Sequence, residues 1–186
     1  MSRMQRGFAL LLVAGVAVAV SAIAQEWDIP QVTAETHALD SLLGKWTYVE
    51  DIHNPQYPKV TGTWTFNRSA DGFMIVDEFR NSNGSGGTAV LAETYRAYNP
   101  DKKTWSFQAT TYQSRRIGLR NGEWDAGITR IQDGQIFDEV TNGSKISRVR
   151  FYNIKKGSFS CVFETSNDSG KNWVNPIDIE AVRAQD

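Results

Sequence analysis

The chain has 186 residues, of which 40% are hydrophobic, 11% aromatic and 22% charged, with a formal net charge of −1. That is composition and length for one globular domain, too apolar for a disordered chain and too mixed for a protein of several membrane spans. A near-neutral charge argues against a nucleic-acid partner, and one Cys and two His argue against a disulfide scaffold and leave almost nothing for a zinc site.

Residues 1–24, MSRMQRGFALLLVAGVAVAVSAIA, read as a secretory signal peptide of bacterial type. Arg3 and Arg6 form the charged start, Gly7 to Val20 the apolar stretch, and Ala22-Ile23-Ala24 the small residues required before cleavage at Gln25. The apolar stretch is short for a span, and no Cys follows the cleavage site to carry a lipid. An exported, periplasmic or secreted protein with no stable membrane anchor is therefore expected. Loss of the two arginines moves the net charge from −1 to −3.

Residues 25–40 contain Pro30 and few apolar side chains, and form a lead-in. A short helical turn over Thr36 to Leu43 closes at Gly44, and the domain proper is expected over 41–186. From there the hydrophobic period is two. Trp46, Tyr48, Glu50 and Ile52 share one face of a first strand, and Val60, Gly62, Trp64 and Phe66 one face of a second. Phe73, Ile75, Asp77 and Phe79 do so in a third, Ala89, Leu91, Glu93 and Tyr95 in a fourth, and Trp105, Phe107, Ala109 and Thr111 in a fifth. Further strands are predicted near 127–132, 135–141, 145–154, 158–166 and 176–183. Asp71-Gly72, Asn83 to Gly87, Asn99-Pro100, Asn121-Gly122, Asp133-Gly134 and Asn142-Gly143 separate them as hairpin turns. No stretch beyond residue 44 has a helical period and no internal repeat is present. The prediction is all-β: a single antiparallel up-and-down barrel of about ten strands, with a two-sheet sandwich as the alternative.

Leu42-Leu43-Gly44-Lys45-Trp46, a helical lead-in running into an antiparallel meander, resembles the start of lipocalin-like (calycin) barrels. In those, a Gly-x-Trp opens the first strand and a basic side chain from the last strand covers the Trp. The resemblance implies that Gly44, Trp46 and Arg183 form this structural group. Tyr98-Asn99-Pro100-Asp101-Lys102-Lys103-Thr104-Trp105, Gly122-Glu123-Trp124 and Ser166 to Trp173 further resemble the exported bacterial proteins of domain-of-unknown-function family 1579. That likeness implies a barrel and no established activity. Ser166-x-Asp168-x-Gly170-x-x-Trp173 also fits the Asp-box of sialidase propellers, but it occurs once and reads as a turn.

Little catalytic chemistry is visible. His37 and His53 belong to no metal-binding spacing, so neither a metal nor a cofactor is expected. Gly84-Ser85-Gly86-Gly87 is neither a nucleophile elbow nor a phosphate loop, and Cys161 reads as a small buried hydrophobe. The anomaly is charge on apolar faces, at Glu50, Asp77 and Glu93. A carboxylate inside a barrel costs several kcal/mol unless paired or hydrated. Arg148, Arg150 and Tyr152 share a face of another strand whose two faces are almost equally apolar. In one register Arg150 and Tyr152 turn inward, and with Trp64, Phe79, Glu93, Tyr95 and Trp105 line a pocket for a small apolar or amphipathic molecule with an anionic head. In the other they face solvent and Val149 and Phe151 face in. The functional readings are a non-catalytic binder, an enzyme using interior carboxylates as acid and base, and an envelope interaction module.

Overall fold

The computed structural model describes residues 31–56, 58–82, 88–111 and 125–185. The expected signal peptide, most of the lead-in, the Asn83 to Gly87 turn and Gly122-Glu123-Trp124 lie outside the described residues. Two short 3-10 turns, Ala34–His37 and Asp40–Leu42, replace the single helical turn predicted over Thr36 to Leu43. Ten strands follow: β1 (Gly44–Asp51), β2 (Val60–Arg68), β3 (Met74–Ser82), β4 (Thr88–Asn99), β5 (Thr104–Thr111), β6 (Asp125–Gln132), β7 (Gln135–Asn142), β8 (Lys145–Lys155), β9 (Ser158–Ser166) and β10 (Val174–Arg183). Each pairs antiparallel with its neighbour in sequence, and β1 pairs with β10, so the meander closes as a barrel. Closure leaves no free sheet edge, which is why the barrel is preferred to the sandwich.

The turns form where the sequence supplies residues that tolerate positive φ. Asp133 and Gly134, at φ of 51° and 72°, make the two-residue link between β6 and β7, the geometry that Asp-Gly favours in a tight hairpin. The Asp-box segment is a turn as well. Ser166 Oγ donates to Asp168 Oδ1 at 2.7 Å, and the Asn172 backbone amide donates to the same oxygen at 2.9 Å. Ser169 and Gly170 both take positive φ, and Trp173 stacks under the Arg148 guanidinium at 3.5 Å.

The first and last strands meet at Trp46 and Arg183, which are paired in register. The Arg183 guanidinium carbon lies 3.9 Å from the Trp46 ring centroid, and its Nη1 donates to the Leu43 carbonyl at 2.5 Å. Gly44, at φ 114°, is what permits this approach, because a Cβ there would fall on Arg183 Nη1. The Trp46 indole donates to the Leu42 carbonyl at 2.8 Å, tying the second turn to β1. Arg68, at the end of β2, pairs with Asp40 of that turn. The turns therefore close one end of the barrel, with Leu39 and Leu42 fully buried against the core.

Candidate functional site

The interior is layered. At the closed end, Trp46, Phe66, Ile75, Phe151, Phe159 and Ile179 form a solid apolar core in which none is more than 1% exposed. The rings meet edge to face, Trp46 on Phe159 at 4.8 Å and Phe151 on Phe159 at 5.7 Å between centroids.

Above that core lies a layer of buried charge. Arg96 enters from β4, and its Nε and Nη2 donate to Asp138 Oδ2 of β7 at 2.9 and 2.5 Å. Its Nη1 donates to Asp77 Oδ2 of β3. Trp64 Nε1 of β2 donates to Asp77 Oδ1 at 2.7 Å, and Thr129 Oγ1 of β6 donates to Asp138 Oδ1 at 2.6 Å. The Arg96 guanidinium carbon lies 5.8 and 5.6 Å from the Phe66 and Phe151 ring centroids, which joins the charged layer to the apolar one. Arg96 and Asp77 are 1% exposed and Asp138 3%. Burial pushes the Asp77 carboxyl above the ordinary aspartate range, although Arg96 pulls the other way. Burial also opposes the charge on Arg96, but Asp138 and Asp77 outweigh it and hold the guanidinium above its ordinary value.

The third layer is empty space. A cavity of about 300 Å³ lies over the charged floor, walled by Trp64, Phe79, Phe107, Val149 and Phe163, with the small side chains of Ala92 and Ala109 leaving the room. Asp77, Arg96 and Asp138 all border it. The arrangement offers an apolar wall and one polar end carrying a titratable carboxyl. It offers no poised nucleophile: Cys161 is fully buried, and burial drives its thiol well above the ordinary value. Among the described residues no group of three or more His, Cys, Asp or Glu could hold a metal ion.

The sequence-predicted residues divide. Trp64 and Phe79 line the cavity. Trp105 is interior but belongs to the closed end, where its Nε1 donates to the Glu35 carbonyl at 3.2 Å and its ring packs on Tyr98 at 5.5 Å. Glu93 and Tyr95 are on the outer face of β4, because Thr94 and Arg96, between and beside them, face the cavity. The expectation failed because the two sides of this strand are about equally polar, so alternation does not tell them apart. A bulge opposite Phe79 and Arg80, which pair with Ala92 and Val90, adds a further break in its count. Arg150 and Tyr152 are also outside, since Val149 and Phe151 take the inward positions of β8. There Arg150 pairs with Glu164 at 2.9 Å and stacks on Tyr152 at 4.7 Å. Glu50 is half-buried, with burial raising its carboxyl, and does not border the cavity.

Arg96 and Asp138 are the residues that sequence reasoning missed. Asp138 had a signal, lying between Ile136 and Val140 in strict alternation, as Asp77 lies between Ile75 and Phe79. Two buried acids on inward faces require a cation, and Arg96 is the one the barrel supplies.

Fold and interior together define a closed ten-stranded antiparallel β-barrel of lipocalin-like fold. Among solved structures the chain is similar to the S-type phycobiliprotein lyase CPES from Guillardia theta, at 12% identity and a TM-score of 0.53, over 84% of this chain and 99% of that one. It is similar also to Rv2717c from M. tuberculosis, at 12% identity and a TM-score of 0.52, over 83% of this chain and all of the other (100%). At such identities the likeness is one of fold. No family model and no curated protein matches the sequence.

Proposed function

We propose that this protein is an exported, non-catalytic binder of a small apolar or amphipathic molecule held in the barrel cavity. The observation that carries the reading is the cavity of about 300 Å³ over a charged floor. A core selected for stability alone fills such space, since each methyl-sized void costs about 1 kcal/mol. Here Ala92 and Ala109 face the space instead. A largely apolar pocket with a few convergent polar groups is the usual form of a small-molecule site. The likeness of fold to a phycobiliprotein lyase is in keeping with such use of the barrel interior.

Export rests on residues 1–24, and membership of the exported bacterial family 1579 on the Gly-x-Trp, Tyr98 to Trp105 and Ser166 to Trp173 segments. N-terminal sequencing of protein recovered outside the cytoplasm should begin at or near Gln25. Native mass spectrometry of that protein should show a retained small molecule that Ala109→Leu, which narrows the cavity, removes without unfolding the barrel. Retention unchanged in Ala109→Leu would place the ligand elsewhere and refute the cavity as its site.

A further inference from the structure

The floor of the cavity is not electrically balanced. Asp77 and Asp138 bring two carboxylates to the one guanidinium of Arg96. Among the described residues the other charged groups bordering the cavity are Arg148 of β8 and Glu164 of β9, joined at 2.6 Å; Arg150 also pairs with Glu164, so this separate group carries one positive charge in excess and does not touch Asp77. The buried Cys161 thiol of β9 is neutral. Among the described residues, with both aspartates ionised, the floor itself is one positive charge short.

The shortfall falls on Asp77. Asp138 accepts three hydrogen bonds, two of them from Arg96. Asp77 accepts one from Arg96 and one from a neutral indole, a single donor on each oxygen, so each keeps a second lone pair. Arg96 has three of its five N–H donors engaged, all by carboxylates, so an anionic head that reached it would also meet Asp77 and Asp138.

We infer that the ligand of this cavity is a compact, largely apolar molecule bearing a cationic hydrogen-bond donor, such as a protonated amine, that seats against Asp77. The inference rests on the reading of the cavity as a small-molecule site, and it reverses the head-group charge expected from the sequence. An ammonium on Asp77 supplies the missing charge where aromatic walls keep the effective dielectric low, so the pairing is stronger than in water. The rings that hold the apolar body also present π-faces to the cation. As an apolar cavity of about 150 Å³ holds benzene, a space of about 300 Å³ accommodates a two-ring body.

Burial raises the Asp77 carboxyl above its ordinary value, so in the pH range where it is protonated an arriving ammonium displaces its proton. Binding is then an exchange: the ammonium keeps its protons and hydrogen-bonds to the carboxylate, and the Asp77 proton leaves to solvent. Arg96 of β4, Asp138 of β7, Trp64 of β2 and Cys161 of β9 face Asp77 from the packed elements. Affinity for an amine therefore rises with pH through the range in which Asp77 titrates.

The test uses three probes of one shape, 1-naphthylmethylamine, 1-methylnaphthalene and 1-naphthoate, titrated calorimetrically into the full mature chain. The amine should bind at least tenfold more tightly than methylnaphthalene, and naphthoate more weakly than either. In buffers of different ionisation enthalpy the amine alone should release a proton, increasingly so as pH is lowered. Asp77→Asn should abolish the amine's advantage and leave methylnaphthalene unchanged. If that variant does not fold, head-group preference and proton release in the unaltered protein decide the matter. Methylnaphthalene binding with no preference for the amine overturns the inference and leaves the cavity reading standing. Failure of all three probes overturns both.

Discussion

Replacing Arg96 by Met keeps the length of the side chain and removes its charge. Asp77 and Asp138, at 1% and 3% exposure, then lose the guanidinium between them and all three of its hydrogen bonds. Breaking a buried ion pair from one side costs roughly 3–5 kcal/mol, because a charge is left uncompensated in the interior. For a domain of this size that is a fall in Tm of roughly 6–20 °C. Thermal unfolding followed by near-UV circular dichroism reads it directly, since Trp64 sits on the cluster. The loss should shrink as pH falls, because the orphaned carboxylates take up protons. Adding Asp77→Asn and Asp138→Asn should restore more than half of it, since the amides keep acceptors for Trp64 and Thr129 and carry no charge. A Tm change in Arg96→Met worth less than about 1 kcal/mol, or no recovery in the triple variant, would refute the account of the floor as a mutually dependent charge cluster.

Arg183→Ala should lower stability by about 0.5–2 kcal/mol in urea denaturation, as the guanidinium over Trp46 is lost where the first and last strands close. The Asp168 carboxyl is held at about 2 by the Asn172 backbone amide and the Asn172 and Ser166 side chains. Its contribution is therefore present above the unfolded aspartate value and disappears as pH falls through the folded one. Asp168→Asn should be less stable than the unaltered protein at neutral pH, with the gap closing between about pH 4 and pH 2. A gap that widens toward acid contradicts this.

Most of the barrel is written locally. Alternation at period two places Trp46, Trp64, Phe66, Ile75 and Phe151 or their neighbours on one side of each strand, and Asp133-Gly134 and Asn142-Gly143 specify where the chain reverses. Closure is legible at one point, because Gly44, Trp46 and Arg183 form a contact between residues far apart in sequence with an identifiable pattern. The inward faces of β4 and β8 are not legible in this way. Alternation finds the buried face only where that face is the more apolar one, and β4 turns Thr94 and the buried Arg96 inward while Tyr95 stays outside. In β8 the outer side carries Tyr152 and an arginine ladder that shields Val162 and Glu164 from solvent, so the two faces differ little in polarity. A buried ion cluster is assembled from three strands, and no single strand announces it.

Two costs coincide at one end of this interior. Buried ion pairs are often replaced by well-packed apolar side chains with no loss, or with a gain of about 1–4 kcal/mol, and voids next to them add to the cost. At the closed end the same chain fills the interior with aromatic and aliphatic side chains. Fold specificity alone accounts for a charged layer but not for the space above it, and poor packing accounts for the space but not for a charged layer so fully hydrogen-bonded. A ligand site accounts for both, and it makes a prediction that the other two do not share. Ala109→Leu places apolar atoms in the cavity, among Phe107, Val140 and the charged floor's rim. It should raise stability by about 0.5–2 kcal/mol, as cavity filling commonly does, while abolishing retention of the ligand. Measured together by urea denaturation and native mass spectrometry, the two changes must run in opposite directions. A variant that loses stability along with ligand would mean that the space is held open by the packing of its walls, and the trade between stability and binding inferred for this barrel would be wrong.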